Sequence, residues 1–198
     1  MIKIGVFILP DKKLKNKILL RKKDVKKKFG NQKYLSHPPH CTLCVINSTN
    51  KSLNLIKKNE VFTSRYKREF EIEKSEIFFN DPITKGNTLI FKIKKNNFLK
   101  NLQLQICNKL KKYTVKDKKK FKNTLMKKNY QRFGYPFVNT NWRPHFTIAS
   151  ISKSSTNKIY FKNFKNEKFN KINQKISYIF FFRIKKNNHK LICSKKII

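Results

Sequence analysis

The pattern His-x-Thr-aliphatic occurs twice in this chain, as His40-Cys41-Thr42-Leu43 and as His145-Phe146-Thr147-Ile148. Each copy opens an apolar, β-prone run, HCTLCVI and HFTIASI. Side chains of a strand alternate between faces. His and Thr two residues apart therefore share one face, while Cys41 and Leu43, or Phe146 and Ile148, occupy the other. Each run offers an imidazole and a hydroxyl on a sheet whose opposite face is oily. Two copies predict two such faces meeting across a cleft. Two opposed histidines suit in-line phosphoryl transfer, one taking a proton from the attacking oxygen and the other giving one to the leaving oxygen.

The length, 198 residues, fits one domain or two intimate lobes. The hydrophobic fraction is low, but 18 Phe supply material for a core. The formal charge is +39, from 49 Lys and Arg against 10 Asp and Glu. Such a balance ordinarily points to nucleic acid. Only six of the basic residues are Arg, and the abundant Lys, Asn, Ile and Phe are residues of A/T-rich codons. Selected polyanion binding and compositional drift on a solvated surface both remain open, and either way anionic ligands are attracted in a salt-dependent manner. The four cysteines, Cys41, Cys44, Cys107 and Cys193, are irregularly spaced and predict no disulfide framework. The apolar run Ile4 to Leu9 is too short for a signal-peptide core or a membrane span, so a reduced, cytoplasmic protein is expected.

The pattern along the chain predicts a strand over 2–9 and an amphipathic helix over 11–29, with Leu14, Ile18, Val25 and Phe29 inward and Lys outward. Gly30 suits its C-cap. Pro38 and Pro39 precede the first motif strand, 40–46. Residues 51–60 read as a short helix or loop. β-like stretches lie within 61–79, a turn at Asp81-Pro82 and Gly86-Asn87, and a strand over 88–94. A second amphipathic helix spans 97–113, with Asn97 as N-cap and Leu99, Leu102, Ile106, Leu110 and Tyr113 as its stripe. The Lys-rich stretch 114–130 reads as an exposed, mobile insertion. The second motif strand is 145–151, the stretch 155–171 is ambiguous, and 176–184 with 190–197 suggest a closing hairpin over Asn187-Asn188. The repeated order of strand, helix and motif strand hints at an internal duplication, the two histidines lying 105 positions apart, at 40 and 145.

Two H-x-[ST]-aliphatic strands in a chain of this size resemble the 2H phosphoesterase superfamily, which includes the LigT-like RNA 2′-5′ ligases and the cyclic nucleotide phosphodiesterases. The segment GYPFVNTNWRPHFTIAS is similar to the LigT-type second motif with its lead-in. The resemblance implies an α+β fold, a single bilobal domain over 1–198 of two pseudo-symmetric lobes, each an antiparallel sheet backed by helices, with the active cleft between the sheets. It also implies metal-independent hydrolysis of a 2′,3′-cyclic phosphate, or joining or cleavage at a 2′-5′ linkage, without a cofactor. The Lys-rich 114–130 stretch, the CxxC at Cys41 and Cys44 and the extreme charge depart from that pattern and bear on substrate choice.

His40 and His145 are the expected acid–base pair, with the roles unassigned. Thr42 and Thr147 would donate to the non-bridging phosphate oxygens without adding charge. Arg143 would contact phosphate or ribose, with an exposed loop Arg as the plainer reading. Tyr135, Phe137 and Trp142 would stack on a base, or else anchor the loop. A zinc site at His37, His40, Cys41 and Cys44 is disfavoured because Cys41 points away from His40. Cys44, two residues beyond Thr42, is expected on the His40 face as cleft floor, and His189, beside a predicted turn, is expected to be inert. The expected partner is RNA or a nucleotide bearing a cyclic phosphate or a 2′-5′ linkage, with no membrane, and the protein is expected to be a monomer. Two alternatives stay open: the same fold acting on a small nucleotide or other phosphoester, and a non-catalytic RNA-binding protein.

Overall fold

The computed structural model describes every residue of the chain except Lys122, Thr156, Lys168, Asn170, Lys171, Lys186 and Asn187. Strand β1 (Ile2–Ile8) leads into helix α1 (Lys12–Phe29). Asp11 caps that helix, its carboxylate accepting from the Leu14 N–H at 2.8 Å, and Gly30 closes it at φ 67°. Strand β2 (Cys41–Ser48) carries the first motif, and α2 (Asn50–Asn59) follows. Strands β3 (Glu69–Phe78) and β4 (Asn87–Ile93) precede α3 (Asn97–Leu110). The cap of α3 is Asn96 rather than Asn97, with its side chain accepting from Leu99 N–H at 2.9 Å. Helix α4 (Thr124–Phe133), strand β5 (His145–Ile151) with the second motif, helix α5 (Lys158–Lys165) and strands β6 (Asn173–Lys175), β7 (Tyr178–Lys185) and β8 (Asn188–Lys196) complete the chain.

The strands form two four-stranded antiparallel sheets, ordered β2-β1-β7-β8 and β5-β4-β3-β6. The fold is therefore α+β with two sheets and covering helices, and each motif strand lies at the edge of its sheet. The unit β1-α1-β2 is repeated as β4-α3-β5. The repetition extends to register: Thr42 faces Phe7 and Cys44 faces Val6, while Thr147 faces Ile90 and Ala149 faces Leu89. In both pairs the register slips by one at the residue after the threonine, leaving Leu43 and Ile148 as β-bulges. The helices are exchanged between the units: α1 packs against β5 and α3 against β2. The segment after each helix also covers the other unit's free edge, with Ser150 N–H donating to Lys33 O at 2.9 Å and Val115 N–H donating to Asn47 O at 2.8 Å. One apolar core, including Leu43, Ile106, Phe146 and Phe181, runs through both halves.

Three further sequence expectations are sharpened here. Within 61–79 only Glu69–Phe78 is a strand; before it, Phe62 is buried and bridges to Ile197. Most described residues of the 114–130 stretch are exposed, but its C-terminal part is helical and belongs to α4, capped by Asn123 and closed by Gly134 in the left-handed region. A side chain at Gly134 would collide with the methyl group of Thr114, so the ends of this excursion are packed together. The expected Asn187-Asn188 turn falls partly outside the described residues, and Asn188 already belongs to β8.

Candidate active site

Both motif strands open on a proline-histidine step, Pro39-His40 and Pro144-His145. The residue before a proline is confined to extended backbone, which fixes the carbonyls of Pro38 and Arg143. Each carbonyl takes the Nδ1–H of the histidine two residues on, Pro38 O from His40 at 2.7 Å and Arg143 O from His145 at 2.6 Å. A carbonyl only accepts, so in the neutral rings Nδ1 carries the proton and Nε2 keeps its lone pair. The recurring proline was the sequence signal for this orientation.

His40, Thr42, Tyr135, Phe137, Trp142, Arg143, His145 and Thr147 all line one cavity of about 880 Å³. Three stitches hold its two motif strands together. Trp142 donates its indole N–H to Thr42 O at 2.9 Å. Gln103, fully buried on α3, donates its amide to Leu43 O at 3.2 Å and to Phe137 O at 3.0 Å. The main-chain N–H of His145 points to the Cys41 thiol, whose pKa burial nevertheless pushes up to about 12. Tyr135 and Trp142 are buried, Phe137 is half-buried and Arg143 is exposed, with its guanidinium over the Phe78 ring at 5.9 Å.

The bulge at Leu43 rephases β2. Leu43 and Cys44 both turn into the core, and Val45 and Asn47 face the cavity. Cys44 is therefore not cleft floor, as strict alternation predicts, but is fully buried against Cys107. With Cys41 also buried, neither thiol shares the His40 face. Among the described residues no group of three or more His, Cys, Asp or Glu could hold a metal ion.

The two histidines sit in different fields. His40 stacks on Phe7, with ring centroids 4.1 Å apart and planes 28° from parallel. That ring lies across Gly5, where a side chain would collide with it. His189 approaches His40 to 5.0 Å between centroids, and His37 lies 5.0 Å from His189. His189, expected to be inert, is thus packed against the motif histidine because β8 joins the same sheet. Burial first, and the neighbouring His189, His37 and Lys22 after it, bring the His40 pKa down to about 3. His145 meets the edge of Phe78 at 5.2 Å. Burial lowers its pKa too, but Asp81 and Glu76 act in the opposite direction and favour its cation. Asp81 is held by Thr88 Oγ1 at 2.6 Å and Ile83 N–H at 2.8 Å.

Lys22 was expected on the solvent face of α1, yet only 5% of it is exposed. Its ammonium donates to Tyr34 O at 2.5 Å, Leu35 O at 3.3 Å and His37 O at 2.7 Å. Tyr34 holds a left-handed backbone at φ 71°, a conformation that costs a non-glycine residue free energy. Lys22 thereby pins the loop that ends at the Pro38 carbonyl. Burial lowers its pKa to about 8, so the cation persists at neutral pH.

No family model matches the chain, and no curated protein matches it. Solved structures do match. Escherichia coli (E. coli) LigT complexed with NADP+ is similar over 99% of this chain and 97% of that chain, at 10% identity and a TM-score of 0.52. A structure described as a phosphoesterase is similar over 99% of this chain and 98% of that chain, at 10% identity and a TM-score of 0.51. E. coli LigT complexed with ATP gives 9% identity, 99% and 97% coverage and a TM-score of 0.50. The chain has the LigT-like fold. No helix among the described residues is long and apolar enough to cross a membrane.

Proposed function

We propose that this chain, with its LigT-like fold, is a 2H-type phosphoesterase acting on RNA ends, hydrolysing a 2′,3′-cyclic phosphate or cleaving or joining a 2′-5′ linkage. One observation carries the reading: two histidines lining one cavity, from the edges of two different sheets, each with Nδ1 tied to the carbonyl two residues before it and Nε2 left to exchange a proton. The complexes of E. coli LigT with NADP+ and ATP support a nucleotide moiety as ligand.

The fields around the rings support a division of labour. His40, beside Lys22, His37 and His189, favours the neutral form, so its Nε2 is the base that takes the proton from water. His145, beside Asp81 and Glu76, more readily holds a second proton and gives it to the ribose oxygen that leaves. Water oxygen bonds to phosphorus as the opposite P–O bond breaks. Thr42 and Thr147 donate to the non-bridging oxygens, where charge builds. Arg143 would pair with phosphate and the half-buried Phe137 ring would flank the nucleoside, while the buried Tyr135 and Trp142 rings anchor the loop behind it.

The test is hydrolysis of an RNA oligomer ending in a 2′,3′-cyclic phosphate with EDTA present. His40→Ala and His145→Ala should each reduce turnover by about 10²- to 10⁴-fold. Turnover equal to wild type in both variants would reject the acid–base pair.

A further inference from the structure

The cavity does not end at the histidines. Beyond Thr42, the cleft face of β2 continues through Val45 to Asn47, roughly 15 Å further at about 3.3 Å per strand residue. This arm is also lined from the segment that begins where the Val115 N–H donates to Asn47 O at 2.8 Å. Lys119, Phe121, Met126 and Tyr130 reach the cavity from it, and Lys3 reaches it from β1. Phe121 packs on Tyr130 with centroids 5.1 Å apart, and the Lys119 ammonium lies 5.0 Å over the Tyr130 ring while pairing with Asp117 at 3.4 Å. The Tyr130 hydroxyl is bonded to Asp117, which fixes the ring. Phe121 and Met126 are only half-buried, leaving apolar surface open to a ligand. In the same cavity the Asn141 amide nitrogen is buried with no hydrogen-bond partner among the described residues.

Aromatic rings interleaved with lysines along a groove are how single-stranded nucleic acid is held without sequence preference, the rings stacking on bases and the ammonium groups neutralising phosphates. The groove runs on from the histidines for more than the span of one nucleotide. We propose that this arm seats the nucleotides preceding the reacting phosphate, so that the substrate is a single-stranded RNA end of at least two nucleotides rather than a free cyclic mononucleotide. Phe121 stacks on a base, Lys119 and Lys3 face the backbone phosphates, and the Asn141 amide is a donor for a sugar or base oxygen. The inference deepens the phosphoesterase reading and rests on it for the identity of the reacting group.

Two measurements separate the arm from the chemistry. In the first, kcat/KM is compared for a 2′,3′-cyclic mononucleotide and for a trinucleotide with the same cyclic end, using wild type, Phe121→Ala and Phe121→Tyr. In the second, fluorescence anisotropy follows binding of a labelled trinucleotide ending in a 3′-phosphate. Wild type should prefer the trinucleotide, Phe121→Ala should lower that preference and the affinity about tenfold, and Phe121→Tyr should retain both. Equal kcat/KM on the two substrates in wild type, or a preference unchanged in Phe121→Ala, would overturn the inference. Absence of hydrolysis with Phe121-dependent binding intact would reject the phosphoesterase reading and support the arm. Absence of both would overturn both.

Discussion

Trp142, three residues before the second motif histidine, gives its indole proton to the carbonyl of Thr42, the threonine of the first motif, at 2.9 Å. The bond crosses from one sheet edge to the other. It makes a ring expected to stack on a base also a tie between the motifs. Trp142→Phe keeps an aromatic ring and removes the donor. It should cost about 1 kcal/mol of stability and lower kcat/KM, read by denaturant unfolding and steady-state kinetics. Unchanged values in both would show that the tie is dispensable.

Gly5 is the space in which Phe7 lies, and Phe7 carries His40 on its face. Gly5→Ala forces the ring to shift or the strand to open, at about 1–3 kcal/mol. The motif histidine should move with it. The expected outcome is a lowered melting temperature together with a lowered kcat, whereas a fully active Gly5→Ala protein would mean that His40 does not depend on this stack.

Lys22 does not itself line the cleft, yet three carbonyls of the loop before His40 close on its ammonium. Lys22→Met removes the donor and leaves those carbonyls buried without it. We expect kcat to fall about ten- to a hundredfold through misplacement of His40, with KM nearly constant. A raised KM at normal kcat would assign Lys22 to substrate binding instead.

The pH dependence follows from His40. Its folded pKa of about 3 lies below the ordinary 6.5. Between those values the unfolded chain binds a proton that the folded chain does not, so stability falls as pH is lowered through that window. His40→Gln removes this contribution. From pH 7 to pH 5 the wild-type denaturation midpoint should therefore fall more than that of His40→Gln, and parallel curves would contradict it. In its proposed role as the acid, His145 must be protonated, and burial lowers its pKa from the ordinary 6.5, so the descending limb of kcat/KM should lie on the acid side of neutrality.

Much of this architecture is legible in the sequence because it rests on local pattern. The alternation in HCTLCVI and HFTIASI, the Leu14–Ile18–Val25 stripe and the cap at Gly30 each report a nearby physical constraint. What resists reading is set by distant partners. Strict alternation places Cys44 beside His40, and only pairing with β1 creates the bulge that turns it inward. Lys22 looks like any other lysine of α1 until the 34–37 loop folds over it. His189 is brought to His40 by sheet order, and Gln103 is a polar residue inside an apolar stripe whose acceptors lie on two other segments. The eight cleft residues were nameable from motif and lead-in, while the arm formed by Lys119, Phe121 and Tyr130 hid within a lysine-rich composition.

The exchange of α1 and α3 between the two β-α-β units has a consequence for how the cleft comes into being. Each motif strand leans on a helix that belongs to the other repeat, in the manner of a swapped dimer whose two subunits have been spliced into one chain. Neither histidine can be poised while the other half is loose. On the proposed roles, proton donor and proton acceptor would be gained together, and a loosened molecule would be silent rather than half-active.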